Sequence, residues 1–210
     1  MILRSKVNLR GNAGRKRGNV AINSQSAESP TIYGNSGSRT PLVWWYLNEI
    51  GQPYEVGDAG NPHPFGQVPA LKEGELEIFE SGAILMYLAD KYGGLDTAAK
   101  RADANKWITW ANATLDPAIF SPNIQASAPR VLDKLDGLLA SIDTYLVEDE
   151  FSVADVAVGS YLLYIPVFFP RFSVAKWKNV TKYMKLLSSR GTFTETFGPQ
   201  HAARVEQFLG

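Results

Sequence analysis

Residues 67 to 92 decide the fold, and they read QVPALKEGELEIFESGAILMYLADKY. The pattern predicts two short strands, Gln67–Leu71 and Glu75–Ser81, joined by a tight turn at Lys72–Gly74. A proline cannot donate to a strand ladder, so Pro69 is predicted to lie in an edge strand. Such an edge leaves backbone groups free, and a small peptide could pair with them.

A helix is predicted directly after the second strand. Ser81 is a suitable N-cap for it, and Gly93 and Gly94 are predicted to end it. Glu80 and Ser81 would then lie at a helix N-terminus, where unpaired amides and the positive end of the helix dipole attract a carboxylate. This join is therefore predicted to bind an anionic group of a ligand.

The residues before this stretch supply the other elements of a small mixed sheet. Thr31–Gly34 is predicted as the first strand, and Tyr54–Val56 as the second. Between them Thr40 can cap a helix with Pro41 in its first turn, and Gly51 ends it. A loop then leads to residue 67, so the order is βαβ, loop, ββα. That order predicts a thioredoxin-like domain.

On these residues the sequence resembles the glutathione transferase superfamily. The resemblance implies an α+β fold, in which a thioredoxin-like N-terminal domain is followed by an all-α helical bundle domain. It also implies a cis Val68–Pro69 bond, with the backbone before the proline binding the cysteinyl part of glutathione as an added strand. Glu80 and Ser81 occupy the positions of the acidic-Ser pair that binds the γ-glutamyl end in that family.

The second half of the chain is predicted to be wholly helical. The resemblance divides the chain into a glutathione-binding domain, residues 31–93, and a helical domain, residues 98–210. A mostly polar loop is predicted at Ser121–Pro129, and Ser152 and Asp155 form a capping pair. The predicted helices are Ala102–Leu115, Val131–Leu146, Ser152–Ile165, Trp177–Leu187 and His201–Phe208.

Composition excludes several classes of function. The 210 residues are 45% hydrophobic and include no cysteine, which excludes disulfides, thiolate metal sites and an enzyme cysteine nucleophile. With only two histidines, no metal is predicted. No apolar run is long enough to span a bilayer, and no nucleic-acid partner is predicted.

Residues 1–30 differ in charge from the rest of the chain. They hold six of the 21 basic residues and one of the 21 acidic residues. A basic, acid-poor, Ser-containing segment without an apolar core is typical of an organelle transit peptide, and a disordered basic tail is the alternative. Gly11, Gly14 and Gly18 oppose a helix, so the chloroplast is favoured over the mitochondrion, with the cytoplasm as a third location.

The catalytic group is predicted in the loop after the first strand. The resemblance implies that glutathione acts as a thiolate at the N-terminus of the first helix, stabilised by a hydroxyl. Ser38 is predicted to supply that hydroxyl, with Ser36 and Thr40 as alternatives. An ungapped match to serine-type members instead puts Gly37 at this position. The other interpretation is that these polar residues only form the turn and cap the helix.

Further residues are predicted to bind the substrates. Gln67 matches the glutamine that contacts the glutathione backbone in similar members, and Arg39 is a further candidate. His63 either reaches the glycyl carboxylate or is a solvent-exposed loop histidine. The candidates for the apolar wall of the second substrate are Trp107, Trp110 and Tyr161–Phe169, and most of these also suit a core or a dimer surface.

The resemblance implies a glutathione transferase that adds glutathione to small hydrophobic electrophiles or reduces organic peroxides with it. Glutathione is then a co-substrate, and a homodimer is expected. The alternative is a non-catalytic member that serves as an interaction or ligand-binding module, which Gly37 at the catalytic register motivates. Dehalogenation or isomerisation of a small acid by the same thiolate is a third hypothesis.

Overall fold

The computed structural model describes residues 29–147 and 150–210. The predicted transit segment therefore lies almost entirely outside the described residues. Four strands form one mixed sheet in the order β2-β1-β3-β4. They are β1 (Thr31–Tyr33), β2 (Glu55–Gly57), β3 (Ala70–Glu73) and β4 (Leu76–Phe79).

The sheet confirms the predicted element order and corrects two details. Strand β1 pairs parallel with β2 and antiparallel with β3, so β3 is a central strand and not an edge. Pro69 is accommodated because it precedes β3, where no ladder bond is needed. The β3–β4 turn is Gly74–Glu75 rather than Lys72–Gly74, since Glu73 still pairs with Leu76 and Gly74 has φ +58°.

The two helices of this half are α1 (Thr40–Glu49) and α2 (Ser81–Tyr92). Each begins one residue earlier than predicted. Thr40 and Ser81 are first helical residues and not N-caps, and neither helix has a side-chain cap hydrogen bond. Their hydroxyls bond to other side chains instead, to Ser38 and Asn112 respectively.

The second half is helical, as predicted. A π-helical turn, Ala111–Leu115, joins α3 directly to α4. The helices are α3 (Ala98–Trp110), α4 (Asp116–Ile119), α5 (Ile124–Leu139), α6 (Val153–Phe168), α7 (Lys178–Ser188), α8 (Gly191–Phe197) and α9 (Pro199–Leu209). Within the described ranges, none of these helices is long and apolar enough to cross a bilayer.

Several predicted helix limits were wrong: the helix predicted at Val131–Leu146 already ends at Leu139. The two errors at prolines arose because burial overrides local propensity. The predicted loop Ser121–Pro129 is mostly helical: α5 begins at Ile124 and contains Pro129, since Ile124 and Ala128 continue the buried face. Likewise α6 does not end before Pro166 but runs to Phe168. Every residue of α6 from Val153 to Pro166 is buried, so this helix forms the centre of the core.

The two halves share one hydrophobic core. Trp45 of α1 is fully buried and packs edge-on against Phe193 and Phe197 of α8. The predicted capping box is confirmed at the start of α6, where Ser152 and Asp155 bond to each other's backbone. Side chains from both halves therefore pack against one another in a single core.

A buried carboxylate fixes the hairpin to α2. Glu73 accepts hydrogen bonds from Tyr87 (2.5 Å), Lys91 (2.6 Å) and Tyr92. Burial acts to raise the pKa of Glu73, but the bonds from Lys91, Tyr87 and Tyr92 outweigh it and hold the pKa below the ordinary value. The charged form of Glu73 therefore stabilises the folded state.

We expect Glu73→Gln to lower the free energy of unfolding by about 1 to 3 kcal/mol at pH 7, the usual range for a hydrogen bond to a charged group. A lowered folded pKa gives a contribution that is present above the unfolded pKa, about 4.3, and is lost as the pH falls through the folded value. Urea unfolding of both proteins between pH 7 and 3 checks this. A stability difference that grows towards acid pH would contradict it.

Candidate active site

A cleft of about 140 Å³ opens between the two halves. It lies where α1 and α2 begin, beside the loop that precedes β3, and the π-helical turn, α4 and α6 complete it. The side chains come from both halves. The lining residues are Arg39, His63, Gln67, Val68, Pro69, Glu80, Ser81, Asn112, Asp116 and Tyr161.

The backbone before β3 forms one side of this cleft. The Val68–Pro69 bond is cis, as the resemblance implied, and Pro69 is buried. The carbonyl of Gln67 accepts a hydrogen bond from Asn61 (2.9 Å), whereas the N–H and C=O of Val68 have no partner within the described part of the chain. An extended peptide could therefore pair with Val68.

Glu80 is held in an uncommon backbone conformation at the N-terminus of α2. Its φ is +72° and its ψ is 120°, values that L-residues rarely adopt. The carbonyl of Glu80 accepts the N–H of Ile84 (3.0 Å), which starts the helical ladder. The side chain of Glu80 remains exposed and lines the cleft.

Three side chains form a hydrogen-bond relay behind the start of α2. Tyr161 donates to Asn112 Oδ1 (2.9 Å), and Asn112 Nδ2 donates to Ser81 Oγ (3.3 Å). Burial raises the pKa of Tyr161 to about 12, so its hydroxyl stays protonated and donates. Gly82 allows this approach, since a Cβ there would lie 2.8 Å from Asn112 Nδ2. These bonds hold the Ser81 hydroxyl at the edge of the cleft, with its oxygen accepting from Asn112.

Arg39 presents the one full positive charge among the lining residues of the described chain. Its guanidinium donates to Asp116 Oδ1 at 2.5 Å and lies 4.0 Å above the ring of Phe120. About a third of the side chain is exposed. The ion pair joins the start of α1 to the start of α4 and holds the charge at the cleft.

The hydroxyls that were predicted to stabilise the thiolate lie outside the cleft. Ser38 Oγ donates to the Asn35 carbonyl (2.8 Å) and lies 2.7 Å from Thr40 Oγ1, and it accepts the Thr40 N–H (3.1 Å). Ser38 thus forms the turn, as the other interpretation expected. Thr40 is fully buried, Ser36 is exposed, and none of the three lines the cleft. A catalytic role for Ser38 stays a prediction that requires its hydroxyl to leave Asn35.

His63 lines the cleft and is not a solvent-exposed loop histidine. It is only 7% exposed, because its ring packs 5.0 Å from that of Phe79. Its Nδ1 accepts the N–H of Phe65 (3.1 Å), so the proton of the neutral ring lies on Nε2. Nε2 is therefore the nitrogen of this ring that can donate to a ligand.

Both halves of the chain match known families. Residues 29–90 match the family model described as the glutathione S-transferase N-terminal domain, and residues 123–190 match the glutathione S-transferase C-terminal domain. Glutathione S-transferase GstB of Escherichia coli strain K12 is 32% identical over 168 aligned residues, an alignment that covers 63% of this chain and 81% of the relative. The chain belongs to the glutathione S-transferase family.

Solved structures of this family share the fold. The glutathione transferase Ure2p5 from Phanerochaete chrysosporium, cocrystallized with 1-(S-glutathionyl)-2,4-dinitrobenzene, superposes with a TM-score of 0.70 at 19% identity, covering 86% of this chain and 97% of the other. A glutathione transferase from Burkholderia graminis, with two glutathione molecules bound per subunit, gives 0.69 at 23% identity, covering 81% and 88%.

The family resemblance did not reveal Asn112 and Asp116 as cleft residues. They lie four positions apart in the helical half, on the π-helical turn and at the start of α4. Trp107 and Trp110, which were predicted for the apolar wall of the second substrate, pack edge-on against each other, 5.7 Å apart, and do not line the cleft. No pattern within a few positions marks either residue, because each meets its partner from a distant segment of the chain.

Proposed function

We propose that this protein is a glutathione transferase that adds glutathione to small hydrophobic electrophiles or reduces organic peroxides with it. One observation carries the proposal. A single cleft combines the free backbone groups of Val68, the polar residues Glu80 and Ser81 at a helix N-terminus, and the charge of Arg39 where α1 begins. These are the groups that a γ-glutamyl-cysteinyl thiol needs.

Each part of glutathione finds a partner in this cleft. The cysteinyl backbone pairs with the N–H and C=O of Val68, as an added strand. The γ-glutamyl end reaches α2, where the Ser81 hydroxyl and the helix N-terminus favour its α-carboxylate and Glu80 favours its amino group. The thiol then points towards α1, and Arg39 favours its thiolate form.

The chemistry needs no further base in the protein. A free thiol has a pKa of about 8.5, and a helix N-terminus and a nearby arginine lower it. In conjugation the thiolate forms a bond to the electrophilic carbon, and a leaving group such as chloride departs with its electron pair. In peroxide reduction the thiolate attacks one peroxide oxygen, the O–O bond breaks, and the alkoxide leaves and takes up a proton. The thiolate of a second glutathione then displaces hydroxide from the resulting sulfenic acid, which gives the disulfide and, after protonation, water.

An aromatic wall beside Arg39 suits an apolar second substrate. Phe120, which lies under the guanidinium, packs 5.5 Å from Phe168 and 6.2 Å from Tyr164. Phe168 is 48% exposed, so a ligand can reach this wall. The predicted range Tyr161–Phe169 supplies most of it, whereas Trp107 and Trp110 do not.

The full chain should bind glutathione by calorimetry and conjugate it to 1-chloro-2,4-dinitrobenzene, with turnover followed by absorbance. Cumene hydroperoxide tests the second activity. A protein that is folded by circular dichroism but neither binds glutathione nor turns over any of these substrates would sink the proposal. An S-substituted inert glutathione serves as the control for binding without reaction.

A non-catalytic binding module is the second candidate, and the Ser38 hydroxyl favours it. The Ser38 hydroxyl is hydrogen-bonded to the Asn35 carbonyl and to Thr40 Oγ1. Gly37 has no side chain that could donate to the thiolate in its place. Glutathione binding with no turnover of any electrophile or peroxide would select this candidate. Turnover above the uncatalysed rate would exclude it.

We further propose a homodimer and a chloroplast location. Phe65 and Phe79 are 75% and 40% exposed and lie edge-on at 6.1 Å, an apolar patch that a second copy would cover. Light scattering, with Phe65→Ser as the variant, tests the dimer.

A fusion of residues 1–30 to a fluorescent reporter in plant cells tests the location, and a diffuse cytosolic signal would refute it.

A further inference from the structure

A second cavity, of about 270 Å³, lies at the other end of α1 from the cleft. Arg39 immediately precedes α1, whereas Tyr46 and Glu49 lie in its last turns, roughly 10 to 15 Å further along the helix axis. The linker after α2, the first turns of α3 and the segment before α6 complete the walls. Among the described residues, the linings of the cleft and of this cavity share no member, so the two are separate sites.

The inner lining of this cavity is apolar. Its buried members are Tyr46, Ala104 and Val153, whose side chains are hydrocarbon apart from one hydroxyl. Half-buried Phe151 and Ile50 extend this apolar lining. The volume is near the lower end of the usual range for ligand pockets, about 300 to 1,000 Å³, and therefore suits a molecule with a single ring.

The hydroxyl of Tyr46 is the polar side-chain atom of this buried lining. Tyr46 is only 4% exposed, and its hydroxyl forms no hydrogen bond with any residue that the structure describes. Burial raises the pKa of Tyr46 to about 12, so the hydroxyl keeps its proton and can donate. Buried hydroxyls are usually hydrogen-bonded, because an unpaired one costs free energy. The Tyr46 hydroxyl is therefore a donor without an acceptor.

The glycine at position 93 lets this hydroxyl reach the cavity wall. A Cβ at Gly93 would overlap Tyr46 Oη, and Gly93 itself lines the cavity. The neighbouring carbonyl of Ala89 already accepts the N–H of Gly93 (2.9 Å) and that of Leu95 (3.5 Å). An acceptor for Tyr46 would therefore have to come from a molecule in the cavity.

The charged residues of the lining disfavour an anionic ligand. Carboxylates outnumber cations there by three to two, and the described lining residues concerned are Glu49, Asp103 and Glu150 against Lys100 and Arg190. Arg190 already binds Glu49 through two N–H groups, both at 2.7 Å, and Lys100 pairs with Asp96 at 3.0 Å. An anion would lose its hydration without gaining a cation that lacks a partner.

A cationic ligand is not favoured either. Glu49 is occupied by Arg190, Asp103 pairs with Lys106 at 2.5 Å, and Glu150 is exposed. An ion pair with an exposed carboxylate contributes little to binding. The cavity therefore favours an uncharged ligand.

We propose that this cavity binds a small uncharged aromatic carbonyl compound, whose ring packs against the apolar lining and whose carbonyl oxygen accepts a hydrogen bond from Tyr46. A carbonyl needs only a donor, whereas an alcohol would bring a further proton into the buried lining that also needs an acceptor. The site lies outside the cleft, and the inference does not rest on the proposed function.

Ligand-observed NMR titration of the full chain tests this inference with three probes of similar shape. They are acetophenone, benzoate, and α-methylstyrene, in which a CH₂ group replaces the carbonyl oxygen. We expect acetophenone to bind with a Kd below about 10 mM, which is ordinary for a molecule of this size. Benzoate should bind at least about 10-fold more weakly, because its charge gains no partner.

Two variants assign the binding to this cavity. Tyr46→Phe removes the hydroxyl but no hydrogen bond of the described chain, so its melting temperature should equal or exceed that of the wild type. It should weaken acetophenone binding by about 3- to 10-fold, the scale of one hydrogen bond, and should not weaken α-methylstyrene binding. Ala104→Leu fills the cavity and should weaken binding of both probes by at least about 10-fold.

Each contrary result overturns the inference. These results are no acetophenone binding below about 10 mM, benzoate binding less than about 10-fold weaker, or a loss of less than about 3-fold in Tyr46→Phe. Acetophenone bound only in the cleft would give the last of these, because Tyr46 does not line the cleft. Glutathione binding is measured on the same samples, and its absence would contradict the proposed function alone.

Discussion

Arg39→Gln is expected to lower kcat/KM for conjugation by about 100- to 1000-fold, the loss that follows removal of one donor from an anion-stabilising site. Arg39 is the group at the start of α1 that lines the cleft, whereas the Ser38 hydroxyl donates to Asn35. Without the guanidinium, the thiol of bound glutathione should ionise at higher pH. Thiolate absorbance of the complex, titrated against pH, measures this shift directly.

Removal of Arg39 also leaves Asp116 without its partner, so a structural effect must be separated from a chemical one. The double variant with Arg39→Gln and Asp116→Asn removes both charges. We expect it to recover the stability that the single variant loses, while its turnover stays low and its thiolate titration stays shifted. Recovery of turnover in the double variant would mean that Arg39 acts only through the fold.

Ser38→Ala is the matched comparison for the catalytic group. If Ser38 mainly forms the turn, this variant loses the bonds to Asn35 and Thr40 and its turnover falls less than about 10-fold, the scale of one hydrogen bond. A loss of about 100- to 1000-fold, with Arg39→Gln nearly unchanged, would instead identify Ser38 as the thiol donor. Ser38→Thr should then restore part of the rate.

Asp155→Ala is expected to lower the free energy of unfolding by about 4 kcal/mol, since it leaves four donors without an acceptor at about 1 kcal/mol or more each. The fully buried carboxylate accepts from the N–H of Leu146 (2.9 Å), the N–H and hydroxyl of Ser152 (2.9 and 3.0 Å) and the hydroxyl of Tyr183 (2.7 Å). Urea or thermal unfolding measures the loss.

Two milder variants show whether the carboxylate or its shape matters. Tyr183→Phe removes one of the four bonds and should cost about 1 kcal/mol. Asp155→Asn keeps one carbonyl oxygen and should fall between Tyr183→Phe and Asp155→Ala. If Asp155→Ala costs no more than Tyr183→Phe, the loop around Leu146 does not depend on the start of α6, and the prediction is wrong.

The features that the sequence predicted well depend on neighbours along the chain. The cis bond at Pro69, the start of α2 at Ser81 and the capping box of Ser152 and Asp155 each involve residues within a few positions of one another. Each of these features is formed by residues that are adjacent in the sequence, so a local motif shared with the family is enough to predict it. Their errors were confined to one residue, as at the N-terminus of α2.

The features that the sequence did not predict depend on contacts between distant segments of the chain. Asp116 meets Arg39 across 77 positions, and Tyr161 meets Asn112 across 49, so neither pair leaves a spacing that a single sequence shows. Trp107, which was predicted for the wall of the second substrate, packs against Trp110. The Ser38 hydroxyl donates to the Asn35 carbonyl because of the conformation of the turn between these residues, and that conformation could not be predicted from the residue types alone.

The positive φ of Glu80 predicts that one substitution, to glycine, would raise stability and weaken the proposed binding of glutathione. Glycine adopts a φ of +72° readily, whereas a glutamate there carries strain on the order of 1 kcal/mol or more. A library of position 80 selected only for survival of heating should therefore become rich in glycine. The same library screened for conjugation of glutathione should retain glutamate if Glu80 binds the γ-glutamyl amino group, as proposed above. The difference in glutamate frequency at position 80 between the two selections measures how much the carboxylate contributes to glutathione binding and conjugation.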